Sequence, residues 1–180
     1  MKNYFILSLL FLSVGLCQRL SEVIETYHNG NIKSITYHKK TRNGIEKVKY
    51  EEYYYNGQKK KEYTYKDGKK DGLWTEWDEN GQKEEEITYK DGEQDGKWTE
   101  WYENGQKKEE GTVKDGKQDG LSTNWYENGQ KEGEGTFKDG KLEGLVTGWY
   151  ENGQRMGEYT YKDGKLISKK EWNEDGSVRE

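Results

Sequence analysis

The sequence has no proline, one cysteine and few apolar residues. Without proline, every backbone N–H can donate to a hydrogen-bonded ladder, which suits long β-strands. Cys17 is the only cysteine, so an internal disulfide is excluded. Hydrophobic residues make up only 29% of the chain and charged residues 36%, which excludes a thick aliphatic core.

Aromatic residues compensate for the missing aliphatic ones. The chain has 7 Trp and 15 Tyr, and each large ring buries roughly 150–250 Å² when it is packed. Many of these rings recur at fixed positions of an internal repeat, which a disordered polar chain would not show. We therefore predict a folded protein with a thin aromatic core.

The repeat has a period of 24 residues, read from Asn-Gly and Asp-Gly steps that recur together. The glycines of the Asn-Gly steps are Gly57, Gly81, Gly105, Gly129 and Gly153, and those of the Asp-Gly steps are Gly68, Gly92, Gly116, Gly140 and Gly164. Such a period indicates one supersecondary unit stacked on copies of itself. Because every copy presents nearly the same surface, the repeat favours binding or scaffolding over a single catalytic cleft.

One unit, Leu73 to Gly96, reads LWTEWDENGQKEEEITYKDGEQDG. It has two strand-like runs and the turn signals that hairpins require. We predict an all-β fold, an elongated single-layer antiparallel β-meander of hairpin repeats. A two-residue Asn-Gly turn and a three-residue Glu-Asn-Gly loop with a glycine bulge are both compatible with the spacing. The three-residue loop gathers the apolar columns on one face, so it predicts Trp77 and Tyr89 on the same side.

This face is the candidate binding or packing surface. Its columns contain Trp77, Trp101, Trp125 and Trp149, and Tyr89, Phe137 and Tyr161. A single layer cannot bury both of its faces, and surfaces rich in Tyr and Trp are typical of protein interfaces. We therefore expect a protein partner, with a glycan stacked on the rings as the alternative. Glycine at Gly111 and Gly135 is expected to leave room for an indole over the backbone.

The N-terminal segment differs from the repeats. Residues 1–17 have a lysine near the start and an apolar run too short to span a bilayer, which predicts a signal peptide and an exported protein, periplasmic, surface-bound or secreted. Cys17 is also a candidate for lipidation. We assign residues 18–48 to a degenerate repeat with a basic join, 49–168 to five regular repeats and 169–180 to a capping half-repeat.

Charge is distributed unevenly. His28 to Gly72 has 12 basic and 6 acidic residues, a net charge of +6, whereas Leu73 to Gly96 has 2 basic and 9 acidic residues, a net charge of -7. The gradient fits either a solvated sheet surface or a bipolar surface that steers a charged partner. No basic stripe runs through the repeats, which argues against nucleic acid. Peripheral membrane contact stays open, although the acidic unit would be repelled by anionic lipid.

Residues suited to catalysis or metal binding are scarce. The only histidines, His28 and His38, lie ten residues apart without a cysteine partner, so surface positions are favoured over metal ligation. The Asp115–Gly120 run resembles a calcium loop but has Lys117 and Tyr126 where oxygen ligands are needed. No nucleotide, nucleophile or zinc motif occurs. We predict no enzymatic activity, no cofactor and no metal.

The unit W-x-x-W-Y-E-N-G-Q-K followed by K-D-G-K-x-D-G resembles the variant MORN repeat. It is also similar to the bacterial YwqK-family antitoxin repeat proteins. The resemblance covers nearly all of Tyr27 to Gly176. It implies a single-layer β-sheet and a role in protein or membrane association without enzymatic activity.

Overall fold

A computed structural model describes residues 5–7 and 20–179. The chain divides into two units. The first comprises Met1–Lys83 and Thr88–Gly92, and the second comprises Glu84–Ile87 and Glu93–Glu180. Cys17 and most of the predicted signal peptide lie outside the described residues, so cleavage and lipidation there stay predictions.

The first unit is an antiparallel meander in which each strand pairs with the next one along the chain. Its strands are β1 (Phe5–Leu7), β2 (Leu20–Thr26), β3 (Ile32–Thr41), β4 (Gly44–Tyr53), β5 (Lys59–Lys66) and β6 (Lys69–Trp77). Strand β7 (Lys83–Lys90) contributes residues to both units. β1 falls within residues 1–17 and pairs with β2 from Phe5 opposite Ile24 to Leu7 opposite Glu22.

The second unit is also an antiparallel meander in chain order. Its strands are β8 (Glu93–Trp101), β9 (Lys107–Lys114), β10 (Lys117–Gln118), β11 (Gly120–Trp125), β12 (Lys131–Lys138), β13 (Lys141–Leu142), β14 (Gly144–Trp149), β15 (Arg155–Lys162) and β16 (Lys165–Glu171). β10 pairs with β9 and β13 with β12. Over the described residues there is no helix, so the all-β antiparallel prediction is confirmed.

Turns are present at both the Asn-Gly and the Asp-Gly steps, and the Asn-Gly turn is the three-residue loop that the sequence favoured. At the Asn-Gly end, Tyr102 N–H donates to the Gln106 carbonyl (2.8 Å) and Gly105 N–H donates to the Tyr102 carbonyl (2.9 Å). Gly105 has φ 80°, so this is the three-residue loop with its glycine in the left-handed region. At the other end, Asp115 and Gly116 both have positive φ, 49° and 74°, as a two-residue type I′ turn requires.

The predicted face assignment is wrong because each hairpin carries a second irregularity. Trp101 pairs with Lys107, but Glu100 pairs with Glu109, so Lys108 is an extra residue in β9. Glu132 and Met156 are the equivalent extra residues in β12 and β15. One inserted residue moves every following side chain of that strand to the other face.

As a result, the two aromatic columns lie on opposite faces. In the second unit Val113 pairs with Gly96. Gly96 is an odd number of residues from Trp101 in β8, so the two positions lie on opposite faces. Phe137 pairs with Gly120 and Tyr161 with Gly144, again opposite to Trp125 and Trp149. In the first unit Tyr89 stacks on Trp74 at 5.2 Å. Since Trp74 is three residues from Trp77 in the same strand, Tyr89 and Trp77 face opposite ways.

Neighbouring repeats are joined at the Asn-Gly end by two side chains. Tyr102 Oη donates to the Trp125 carbonyl (2.7 Å), Tyr126 Oη to the Trp149 carbonyl (2.8 Å) and Tyr150 Oη to the Trp172 carbonyl (2.9 Å). An asparagine amide adds a second bond beside each phenol, to a carbonyl 22 or 23 residues further along. These bonds join Asn104 to Glu127, Asn128 to Glu151 and Asn152 to Glu174. Each repeat therefore stacks on the next through side-chain to backbone bonds as well as strand pairing.

Candidate functional site

One face of each unit carries the repeated tryptophans, and we refer to it as the tryptophan face. Its rings are Trp77 in the first unit and Trp101, Trp125 and Trp149 in the second. All four are half-buried. A large ring held in place with part of its surface in water is the type of residue that anchors protein interfaces.

Three of these rings each lie beside an ion pair of the same kind, a lysine with a glutamate. Lys107 Nζ is 5.6 Å from the Trp125 ring centroid and 2.5 Å from Glu110 Oε2. Lys131 Nζ is 5.8 Å from the Trp149 ring and ion-paired to Glu134. Lys59 in the first unit has the same relation to Trp77, at 5.8 Å, and is ion-paired to Glu62. The repeat thus displays a tryptophan, an ammonium and a carboxylate in a constant arrangement.

The floor of the tryptophan face is made of small polar side chains. Thr123 is only 3% exposed and lies between Glu110 of β9 and Glu134 of β12, its pairing partners. Beside it is a shallow hollow of about 190 Å³, lined by Lys97, Thr99 and Leu121 among others. That is smaller than the roughly 300–1,000 Å³ typical of ligand pockets. The face therefore suits an extended partner better than an enclosed small molecule.

The first unit has a buried charge cluster on the same face. Glu51 is 5% exposed and accepts bonds from Tyr37 (2.8 Å), Tyr53 (2.9 Å) and Lys59 (2.9 Å), with Lys49 Nζ also 2.9 Å away. Burial raises the pKa of Glu51, but these hydrogen bonds outweigh burial and lower the pKa to about 2. Glu51 is therefore ionised at neutral pH and cannot act as a general acid.

The opposite face of the first unit carries four packed aromatic side chains, which we refer to as the ring row. Tyr50 stacks on Tyr63 at 5.8 Å, Tyr63 contacts Trp74 at 4.1 Å and Trp74 stacks on Tyr89 at 5.2 Å. Lys70 Nζ lies 2.9 Å from the Trp74 ring centroid. Since the ring faces are covered by one another and by this ammonium, the row is a packing element rather than a platform for a ligand.

Glu76 binds the two middle rings of the ring row. It accepts bonds from Trp74 Nε1 (3.0 Å), Tyr63 Oη (3.1 Å) and Lys61 Nζ (2.8 Å). Burial raises the pKa of Tyr63, and the charge of Glu76 and its hydrogen bond raise it further. The pKa of Glu76 is lowered, against the effect of burial, mainly by its bond from Lys61. Glu76 is therefore a structural polar contact of the ring row.

In the second unit the same face is lined by smaller residues. The indole of Trp98 lies over Gly111, which confirms the expectation for that glycine. At Gly135 the neighbours are Val146 and Leu142, not an indole, so the expectation is wrong there. Phe137 and Tyr161, two members of the predicted surface, are half-buried on this face.

Candidate metal ligands are not clustered in the described part of the chain. Within residues 5–7 and 20–179, no three His, Cys, Asp or Glu side chains lie close enough together to hold a metal ion. His28 contacts the exposed Tyr55, with Nε2 3.4 Å from Oη. His38 pairs with Lys47 between β3 and β4. Asp115 and Gly116 form a hairpin turn.

No helix among the described residues has the length and apolar composition to cross a membrane.

The sequence located the tryptophans of the candidate surface but missed their neighbours. Lys107 and Glu110 converge on Trp125 only because Lys108 is an extra residue, which puts them on the tryptophan face. The ring row was also missed, although Trp74 and Trp98 occupy the same position of successive repeats and could have signalled a second column. The phenol bonds of Tyr102 and Tyr126 have a sequence signal too, since both residues recur directly after a column tryptophan.

Comparison with known families agrees with this geometry. The MORN repeat variant matches five consecutive segments, residues 42–67, 70–91, 94–115, 118–139 and 142–163, which together cover more than half of the chain. No curated protein matches the sequence. MORN repeats often mediate protein or membrane association and are generally non-catalytic. With five matched segments and a hairpin for each repeat, the chain belongs to the MORN repeat variant family.

Proposed function

We propose that this protein is a non-enzymatic, exported scaffold that binds a protein partner through its tryptophan face. The observation that carries the proposal is the constant set formed by Trp125, Lys107 and Glu110 and repeated by Trp149, Lys131 and Glu134. Packing alone would not require the same ammonium and carboxylate beside a half-exposed ring in successive repeats.

The chemistry of this set defines the partner. The exposed Lys107–Glu110 pair contributes little to stability, since exposed ion pairs are typically worth about 0–1 kcal/mol. A partner carboxylate can therefore replace Glu110 at Lys107 at small cost, while an apolar side chain of the partner covers the indole. We expect a protein segment that presents carboxylates next to apolar anchors, matched to several repeats at once.

The experiment is a pull-down from the native cell envelope with tagged protein. We expect the Trp125→Ala/Trp149→Ala double variant to lose the partner that wild type recovers. The matched control is Phe137→Ala/Tyr161→Ala, which removes two half-buried rings from the opposite face. Circular dichroism first establishes that both variants are folded. Equal recovery by the tryptophan variant and wild type would refute the assignment of the face.

Export is the second part of the proposal. It is supported by the short apolar run in residues 1–17, because the composition of this segment is unlike that of the repeats. N-terminal sequencing of protein from the producing cells would show whether a leader is removed. A labelled fatty acid incorporated by wild type but not by Cys17→Ala would assign a lipid anchor there. A protein that keeps Met1 and stays inside the cell would contradict export.

An antitoxin-like role would be a special case of partner binding, with a toxin as the partner. It is supported by the resemblance of the repeat unit alone. Co-expression with the products of neighbouring genes tests it. Growth arrest by such a product, relieved by this chain and not by its Trp125→Ala/Trp149→Ala variant, is the expected result. Rescue that is unaffected by the double variant would separate an antitoxin role from this face.

Glycan binding is the alternative function. Two strands per repeat place successive tryptophan positions of the second unit about 9.6 Å apart, a regular spacing that suits a linear polymer of identical units. Binding to purified peptidoglycan with quenching of tryptophan fluorescence would favour this alternative over a protein partner. Peripheral membrane contact is tested alongside with vesicles of neutral and anionic lipid, where the acidic segment from Leu73 to Gly96 predicts weaker binding to the anionic ones.

A further inference from the structure

The Asn-Gly steps that form the repeat turns are also the most chemically labile steps of a polypeptide. The backbone nitrogen of the glycine attacks the amide carbon of the asparagine, a C–N bond forms, and ammonia leaves. Water then opens the cyclic imide to aspartate or isoaspartate. Glycine favours this step because it has no Cβ to obstruct the approach. The reaction needs only water, so the fold decides which asparagine reacts.

In four of the five regular repeat turns the asparagine amide is held at both ends, whereas in the turn of Asn80 the Gln82 N–H donates to Asp78 Oδ1 instead. Asn104 Oδ1 accepts the Gln106 N–H at 2.9 Å, and Asn104 Nδ2 donates to the Glu127 carbonyl at 2.7 Å. Asn56, Asn128 and Asn152 make the same two bonds. To form the imide, the amide must rotate towards the next residue and lose both contacts.

The glycine backbone nitrogen, which would attack the amide carbon, also takes part in a hydrogen bond in these turns. Gly105 N–H donates to the Tyr102 carbonyl at 2.9 Å, and Gly129 N–H donates to the Tyr126 carbonyl at 2.9 Å. Deprotonation of this N–H is needed for attack, so its hydrogen bond adds a further barrier. The contacts within each turn and with the next repeat thereby protect these four asparagines.

The side-chain amide of Asn43 lies outside this arrangement. The residue occupies the two-residue loop Arg42-Asn43 between β3 and β4, where Thr41 pairs with Gly44. Its backbone N–H donates to Thr41 Oγ1 at 3.3 Å. In the described part of the chain its side-chain amide has no hydrogen-bond partner, and the residue is exposed. A Cβ placed on Gly44 would have no neighbour within 4 Å, so the step is open to solvent.

We propose that Asn43 is a site of spontaneous modification, at which the amide is converted to aspartate or isoaspartate while Asn56, Asn104, Asn128 and Asn152 of the folded repeat turns are preserved. The conversion places a negative charge in the β3–β4 hairpin, beside Arg42 and near Lys40 in sequence. The isoaspartate form also inserts one methylene carbon into the backbone of a two-residue hairpin loop. The β3–β4 hairpin is therefore expected to change before the four turns in which the asparagine amide is held at both ends.

The test is peptide mapping by mass spectrometry of the full chain after incubation at mildly alkaline pH. Each conversion makes the peptide heavier by about one mass unit. In the folded protein we expect the Asn43 peptide to convert on the order of tenfold faster than the Asn104 and Asn128 peptides, because their amide bonds must open first. Asn43→Gln should abolish the fast release of ammonia.

The same incubation in concentrated urea is the control for local sequence. In urea the Asn-Gly steps should convert at similar rates, since the contacts between repeats are lost. If Asn43 converts no faster than Asn104 in the folded protein, the proposal is wrong. If Asn43 has the same advantage in urea, the flanking residues rather than the fold cause it, and the structural argument is wrong.

Discussion

The indole of Trp98 lies directly over the backbone of Gly111 in the neighbouring strand of the second unit. Trp98 Nε1 is 2.9 Å, and Cε2 is 3.1 Å, from the point that a Cβ on Gly111 would occupy. The two residues pair across β8 and β9. A Cβ at this position would therefore clash with the ring as it is placed, whereas the backbone conformation does not itself require glycine.

Gly111→Ala should lower the free energy of unfolding by about 1–3 kcal/mol, the cost of overpacking a filled site. Gly133→Ala is the matched control, because a Cβ there would have only the Thr147 carbonyl oxygen, at 3.9 Å, as a neighbour. Urea unfolding followed by circular dichroism measures both. The Trp98→Ala background should remove the penalty of Gly111→Ala, and a penalty that persists there would contradict the contact.

Tyr126→Phe should cost about 0.5–1.5 kcal/mol, the value of one hydrogen bond, because it removes the donor to the Trp149 carbonyl. Tyr102→Phe should cost a similar amount, and the double variant should show the sum, since repeats interact with their nearest neighbours. Thermal unfolding gives the comparison. Tyr55→Phe is the control, because among the described residues the only hydrogen bond of its exposed hydroxyl is the one with His28 Nε2 at 3.4 Å, and its loss should leave the midpoint unchanged.

Glu51 makes the free energy of unfolding depend on pH in the acid range. Its pKa is lowered in the folded protein to about 2, below the ordinary value of 4.5. The stabilisation is therefore fully present above the ordinary pKa and is lost as the pH falls from there towards 2. Glu51→Gln should destabilise the protein by about 1–3 kcal/mol at neutral pH.

Urea unfolding of wild type and Glu51→Gln across this acid range measures the effect. The difference between the two should shrink as the pH falls. Glu127→Gln, a substitution of an exposed turn residue, should show no such trend. A difference that stays constant with pH would contradict the lowered pKa.

Removal of one whole repeat should be tolerated. Deleting Lys97–Gly120 joins Gly96 to Leu121, which reproduces the native Asp-Gly-Leu junction of Asp119, Gly120 and Leu121. At about 0.05–0.15 kcal/mol per residue, loss of the repeat should cost roughly 1–4 kcal/mol. Thermal unfolding should remain cooperative with a lower midpoint. Deleting Lys97–Asp119 instead leaves one residue too many, so the following strand starts on the wrong face and folding should fail.

The turns were predictable because their chemistry is local. Gly105, Asp115 and Gly116 have positive φ, and Asp and Gly supply it at least cost, so the sequence predicted the hairpin turns, the three-residue loop and the all-β fold. The glycine opposite Trp98 was predictable for a similar reason, since an indole needs space over the backbone.

The faces could not be predicted in this way. Lys108, Glu132 and Met156 occupy the extra position of their strands, and they are a cation, an anion and an apolar residue with no shared composition. Only the pairing of whole strands shows that they are unpaired. The hydrogen bond from Tyr102 to the Trp125 carbonyl likewise joins residues 23 apart in sequence.

The period, the strand class and the hairpin turns were thus determined by the sequence itself, because backbone conformation at Gly, Asn and Asp follows from their own sterics. Which rings share a face, and which ammonium and carboxylate lie beside Trp125, was decided by the tertiary structure. The physical reason is that side chains alternate with a period of two along a strand, so a single unpaired residue exchanges the two faces.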